Sequence, residues 1–236
     1  KKKLLVSGCS YTDINWKSDF HDIGPNAWPM WPEILAKKLD MEVINLAKSG
    51  AGNEYIYSSL LDKIITIDNI GLVIPAWSQS QRRDWKVKSK WFNNAEYCNI
   101  KLTQFNDMYA HVDKTLRYYY SLQEICKSKK IPLKQFQMIH MFRGYSWDIP
   151  TQRHKELPEL KKELLNHIHN SPYFDKIDDN FIGWPGDKDL GGLCIKKDIL
   201  GGYGEDSLPW AVSERDNHPN AKGQEKIAEF IYDRLG

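Results

Sequence analysis

The sequence predicts an α/β fold, a three-layer α/β/α sandwich around a mainly parallel sheet. Three observations predict it. Short apolar runs alternate along the chain with segments whose apolar residues recur at helical spacing. The runs are apolar throughout instead of alternating apolar with polar, as expected of strands buried on both faces. The 236 residues are enough for one large domain with a substantial core.

The first strand is read at residues 3–7, Lys3-Leu4-Leu5-Val6-Ser7, and ends at Gly8, which permits a tight turn. A long loop with Gly24-Pro25 and Trp28-Pro29 follows. Residues 32–39 read as a helix, with Pro32 suited to the first turn and Ile34, Leu35 and Leu39 as its apolar positions. The second strand is read at residues 42–46. Asn53 is expected to cap a second helix carrying Ile56, Leu60, Leu61, Ile64 and Ile65. A third strand is read at residues 71–76, a helix with Leu116, Tyr119, Tyr120, Leu122 and Ile125 at 111–128, and a fourth strand at 134–140. Such alternation gives parallel neighbours joined by right-handed crossovers.

Residues 142–210 break this rhythm. They hold one helical pattern, at 158–169, and then a tract rich in glycine, aspartate and aromatics, with Trp184-Pro185-Gly186, Gly191-Gly192 and Gly201-Gly202. The tract is read as an irregular excursion that shapes a pocket within a single domain of residues 1–236. The last helix, at 220–235, carries Ile227, Phe230, Ile231 and Leu235 on one face.

Composition narrows the function classes. A net charge of +2 gives no reason to expect nucleic acid as a partner. The basic runs at Arg82-Arg83, at 86–90 and at 127–130 read as solvated faces or helix ends. No stretch is long and apolar enough to span a bilayer, so no membrane partner is expected. Cys9, Cys98, Cys126 and Cys194 lie far apart without a Cys-x-x-Cys pair, which points to free thiols and a cytoplasmic location. No signal-peptide pattern is visible, although the chain opens at Lys1 without a Met, which leaves a processed or trimmed start open. Nine tryptophans are many for this length; most are read as core, with a contact surface as the alternative for some.

Two places in the chain carry chemistry. Ser10 follows the first strand in Ser7-Gly8-Cys9-Ser10, at the sheet edge where open α/β sheets place their sites. Asp216-Asn217-His218-Pro219-Asn220 stands just before the last helix. A serine hydroxyl needs a base to take its proton, an imidazole such as that of His218 can serve near neutral pH, and a carboxylate such as Asp216 fixes the tautomer of that base. The alternatives are a surface-loop role for His218 and turn chemistry for Asp216, with Glu214, Asp206 and Asp187 as substitute acids.

In order along the chain these blocks resemble the SGNH (GDSL-type) hydrolase superfamily. Its Gly-Asp-Ser block corresponds to Gly8-Cys9-Ser10. Its second block, a strand with an Asn and a glycine after it, corresponds to residues 43–50, with Gly52 and Asn53 next. Its Asp-x-x-His-Pro block corresponds to Asp216-Asn217-His218-Pro219, one residue shorter. The Gly-x-Asn-Asp of its third block is missing: residues 73–79 read Val-Ile-Pro-Ala-Trp-Ser-Gln.

The resemblance implies a flavodoxin-like sheet and a serine esterase in which Ser10 attacks, His218 moves the proton and Asp216 orients His218. It implies an oxyanion site made by the backbone N–H groups of Ser10 and Gly50. For the missing Asn it leaves Ser78, Gln79 or Asn53, the last with helix capping as its alternative. No cofactor and no metal are implied. His167-Ile168-His169 lacks a spaced third ligand and reads as a helix C-terminus, and Gly50-Ala51-Gly52 lacks the third glycine of a dinucleotide-binding turn. Cys9 reads as a small buried side chain, while Trp77 and Arg82-Arg83 are candidates for substrate contact or for packing. The expected substrate is a small-molecule or glycan ester, with an O-acetyl group on a glycan as one candidate. The rival readings are a catalytically reduced module of the same fold that binds glycan or protein, and an acyl transferase using the same triad. The acyl group, the alcohol and the oligomeric state are not legible.

Overall fold

The computed structural model describes residues 1–93, 108–142 and 158–235. Cys98 and residues 143–157 of the predicted excursion lie outside the described residues. The elements that build the sheet are β1 (Lys3–Ser7), β2 (Glu42–Asn45), β3 (Ile70–Trp77), β6 (Gln135–Gln137) and β7 (Phe181–Ile182). They pair in the order β2-β1-β3-β6-β7, and every pairing is parallel. The separate antiparallel hairpin β4 (Asp84–Val87) and β5 (Lys90–Asn93) follows β3.

The side-chain period of a strand divides the core into two layers. Leu4 and Val6 of β1, with Leu72, Ile74 and Ala76 of β3, face a cluster shared with α1 (Trp31–Lys38) and α5 (Ala221–Tyr232). Leu5 and Val73, with Trp77, face the other cluster, shared with α2 (Asn53–Ile64), α3 (Met108–Ser128) and α4 (Pro158–His169). The result is a helix layer on each face of a parallel sheet, as the continuous apolar runs predict.

Several expectations need correction. The second helix is capped by Gly52, with Asn53 as its first residue and no side-chain cap bond from either. Asp84 of the hairpin supplies that cap instead, accepting from Gly52 N at 2.9 Å and Tyr55 N at 3.0 Å. An acid distant in sequence thus takes the two N–H groups that a local cap would have taken. Trp77 is not a surface contact: it ends β3, is fully buried and donates from Nε1 to Gln135 Oε1 at 3.0 Å. The excursion is less irregular than predicted, because Phe181 and Ile182 form the fifth strand and Ile195 joins the core. Cys9, Cys126 and Cys194 are buried free thiols, and burial pushes Cys126 and Cys194 up to about 12.

Candidate active site

The strand order places the C-terminal end of β1 between those of β2 and β3. The chain turns there, with Thr12 N and Asp13 N both donating to Cys9 O at 2.9 and 3.1 Å. That turn is tied to the loop after β2. Lys48 N donates to Gly8 O at 3.0 Å, Asn45 Nδ2 to Thr12 O at 2.8 Å, and Ser49 N to Asp13 Oδ2 at 2.7 Å. These bonds hold the loop of Ser10 against the loop of Gly50. Gly50 has φ of +78°, a conformation that costs a residue with a Cβ. Among the described residues nothing takes up the backbone N–H of Ser10 or of Gly50.

His218 arrives from the other end of the chain. Its loop is fixed by Val212 N donating to His218 O at 2.9 Å, and by Tyr11 Oη and Lys196 Nζ both donating to Asn217 O at 3.0 Å. Asn220 then caps α5, its side chain accepting from Gly223 N at 2.9 Å. His218 Nε2 lies 2.9 Å from Ser10 Oγ, and His218 Nδ1 lies 2.7 Å from Asp216 Oδ1. The ring is flanked by Tyr11 and Trp16, with centroids 5.2 and 4.7 Å away.

Asp216 is buried, and its second oxygen accepts from Ser18 Oγ at 2.5 Å. Burial alone would raise its carboxyl, but the hydrogen bonds from His218 and Ser18 outweigh that and bring it to about 2. An ionised carboxylate only accepts, so Nδ1 of His218 carries the proton facing it. In the neutral ring Nε2 is then the acceptor, pointed at the Ser10 hydroxyl. The arrangement can draw the proton from Ser10 and stabilise the imidazolium that forms.

The remaining candidates fall in different places. Asn53 is buried with its amide fully engaged: Nδ2 donates to Ser78 O at 3.2 Å and Thr115 Oγ1 at 3.1 Å, and Oδ1 accepts from Ser78 N at 2.8 Å. Ser78 and Gln79 are buried, and neither they nor Gly50 stand on the wall of the cavity that holds Ser10 and His218. Of the substitute acids, Asp187 caps a short turn at Asp189 N and faces Lys161, while Asp206 and Glu214 are exposed. His167 Nε2 lies 2.7 Å from Asp113 Oδ1, so its ring is engaged in a hydrogen bond between α3 and α4.

Sequence reasoning missed Ser18, Trp16 and Arg215 as neighbours of this site, and treated Arg82 only as a possible contact. Arg82 and Arg215 line the cavity of about 530 Å³ that holds Ser10 and His218. Nothing local in the sequence marks them, since each reaches the site through a loop whose path the fold determines.

No family model matches the chain, and no curated protein matches it. Solved structures do. A protein assigned to the G-D-S-L lipolytic family, from Desulfitobacterium hafniense DCB-2, is 14% identical, with a TM-score of 0.51 over 99% of each chain. The psychrotrophic esterase EstA from Pseudoalteromonas sp., in a structure inhibited by monoethylphosphonate, is 15% identical, with a TM-score of 0.50 over 100% of this chain and 97% of that one. At such identities the likeness speaks to the fold.

Proposed function

Starting from a chain with the fold of the SGNH (GDSL-type) hydrolases, we propose that it hydrolyses the ester of a small acyl group, with Ser10 as nucleophile, His218 as general base and acid, and Asp216 as the residue that orients His218. One observation carries this reading: the unbroken hydrogen-bonded chain from Ser10 Oγ through His218 to Asp216, assembled from residues at opposite ends of the sequence. The missing residue between Asp and His in the last block leaves that pair at 2.7 Å, so the shorter spacing gives no support to the reduced, binding-only rival.

Ser10 Oγ attacks the carbonyl carbon while His218 Nε2 takes its proton. The carbonyl oxygen becomes an oxyanion, for which the family resemblance assigns the N–H groups of Ser10 and Gly50; among the described residues nothing else takes these up. His218 returns the proton to the departing alcohol, which leaves an acyl group on Ser10. Water, deprotonated by His218, then releases the acid. In a well-studied protease one lost oxyanion donor costs about 3 kcal/mol of barrier, so two donors without the family's Asn make for a modest hydrolase unless another group assists.

The test is labelling by a fluorophosphonate, a class related to the phosphonate that inhibits the Pseudoalteromonas esterase. The expected result is one adduct on Ser10 by intact mass and peptide mapping, absent from Ser10→Ala and His218→Ala. A panel of 4-nitrophenyl esters and O-acetylated glycans then reads the acyl and alcohol preference. A folded protein that neither labels nor hydrolyses any of them would return the reading to a binding module.

A further inference from the structure

The cavity of Ser10 and His218 is bordered by cations. Arg82 comes from the loop after β3, and its Nη1 donates to Ala51 O at 3.2 Å, next in sequence to Gly50. Arg215 comes from the loop before α5, its guanidinium 5.7 Å from the centre of the Phe20 ring, which is also on the wall. Lys196 stands behind that wall, buried, with its Nζ 5.1 Å from the ring of Tyr203.

Negative charge is scarce there. Asp216 is the one carboxylate on the wall among the described residues, and its two oxygens already face His218 and Ser18. Neither arginine forms an ion pair among the described residues. Asp84, whose charge Arg82 feels, is turned instead to the N–H groups of Gly52 and Tyr55. A cavity lined by two guanidiniums that form no ion pair among the described residues focuses a positive field, and the guanidinium fork matches two anionic oxygens.

We propose that the ester taken by this site carries an anionic oxygen group near the scissile bond, held by Arg82 and Arg215. This rests on the hydrolase reading for the word ester, but the anion site can be tested apart from it. The experiment compares matched pairs at low salt. One pair is 4-acetoxybenzoate against 4-acetoxybenzamide, with the charge on the alcohol. The other is mono-4-nitrophenyl adipate against its methyl ester, with the charge on the acyl group.

The expected result is a kcat/KM preference of roughly tenfold or more for the anionic member of at least one pair, the size of one charge-assisted hydrogen bond. The preference shrinks at high ionic strength and is lost in Arg82→Gln/Arg215→Gln. A thermal melt checks that the double variant folds; if it does not, Arg215→Gln alone and the salt series give the reading. Rates equal to within about twofold in both pairs, or a preference that survives loss of both arginines, overturn the proposal. Calorimetry on Ser10→Ala with the same intact esters separates the two claims. Arginine-dependent tighter binding of 4-acetoxybenzoate without any turnover by the parent protein keeps the anion site and removes the hydrolase. Hydrolysis with no charge preference does the reverse.

Discussion

Ser18 Oγ donates to Asp216 Oδ2 at 2.5 Å across 198 residues of sequence. The same hydroxyl oxygen accepts from Phe20 N and His21 N, both at 3.1 Å, so its own loop holds it in place. Asp216 is thereby gripped on both oxygens, by Ser18 on one and by His218 on the other. A carboxylate held at one oxygen can swing; one held at both keeps the His218 ring in a single orientation.

Ser18 is therefore a positioning residue. Ser18→Ala is expected to lower kcat on 4-nitrophenyl acetate by about tenfold with little change in KM, the value of one hydrogen bond to a charged group. Ser18→Thr should recover most of the loss. A variant with full kcat, or a loss that appears in KM alone, would contradict this role.

The depressed Asp216 carboxyl predicts a pH dependence of stability. Its folded value, about 2, lies below its ordinary 3.8, so the ionised form favours the native state. That contribution is complete above about pH 4 and is lost as the pH falls through about 2. Urea midpoints of the parent protein and Asp216→Asn, measured from pH 6 downward, should differ by a steady amount to about pH 4 and converge as the pH falls toward about 2. Parallel curves would count against the assignment.

Asn53 should behave as a structural residue. Its amide meets Ser78 N, Ser78 O and Thr115 Oγ1 in a buried setting, so Asn53→Ala strands several polar groups at once. The expected cost is about 2–3 kcal/mol in urea unfolding. Loss of turnover with stability intact would instead make Asn53 an oxyanion donor.

Gly8 should not tolerate a side chain. A Cβ there would stand 2.6 Å from Thr12 Oγ1 and 3.1 Å from Ala76 Cβ. Thr12 Oγ1 itself accepts from Trp31 Nε1 at 3.2 Å, so the clash presses on a buried bond two residues from Ser10. Gly8→Ala is expected to cost about 1–3 kcal/mol and to lower the melting temperature by a few degrees. Ser10 labelling should slow more than the stability loss explains.

What the sequence by itself determined was local pattern and chemical type. The buried strands at β1 and β3 and the amphipathic α5 were legible because their signal lies in consecutive side chains. So were the residue types of a serine nucleophile, a histidine and an acid, in the order Ser10, Asp216, His218. The hairpin β4–β5 was not, because its strands are only four residues long and its apolar pair, Trp85 stacked on Phe92, faces solvent among lysines instead of a core. The two residues of β7 are too few for any period. Only the tertiary structure decided that Asp84, not Asn53, caps α2, that Ser18 holds Asp216, and that Arg82 and Arg215 share a cavity with Ser10. Each of these depends on loops brought together across the sheet edge, where hydrogen bonds and charges act through space and the intervening sequence carries no trace of them.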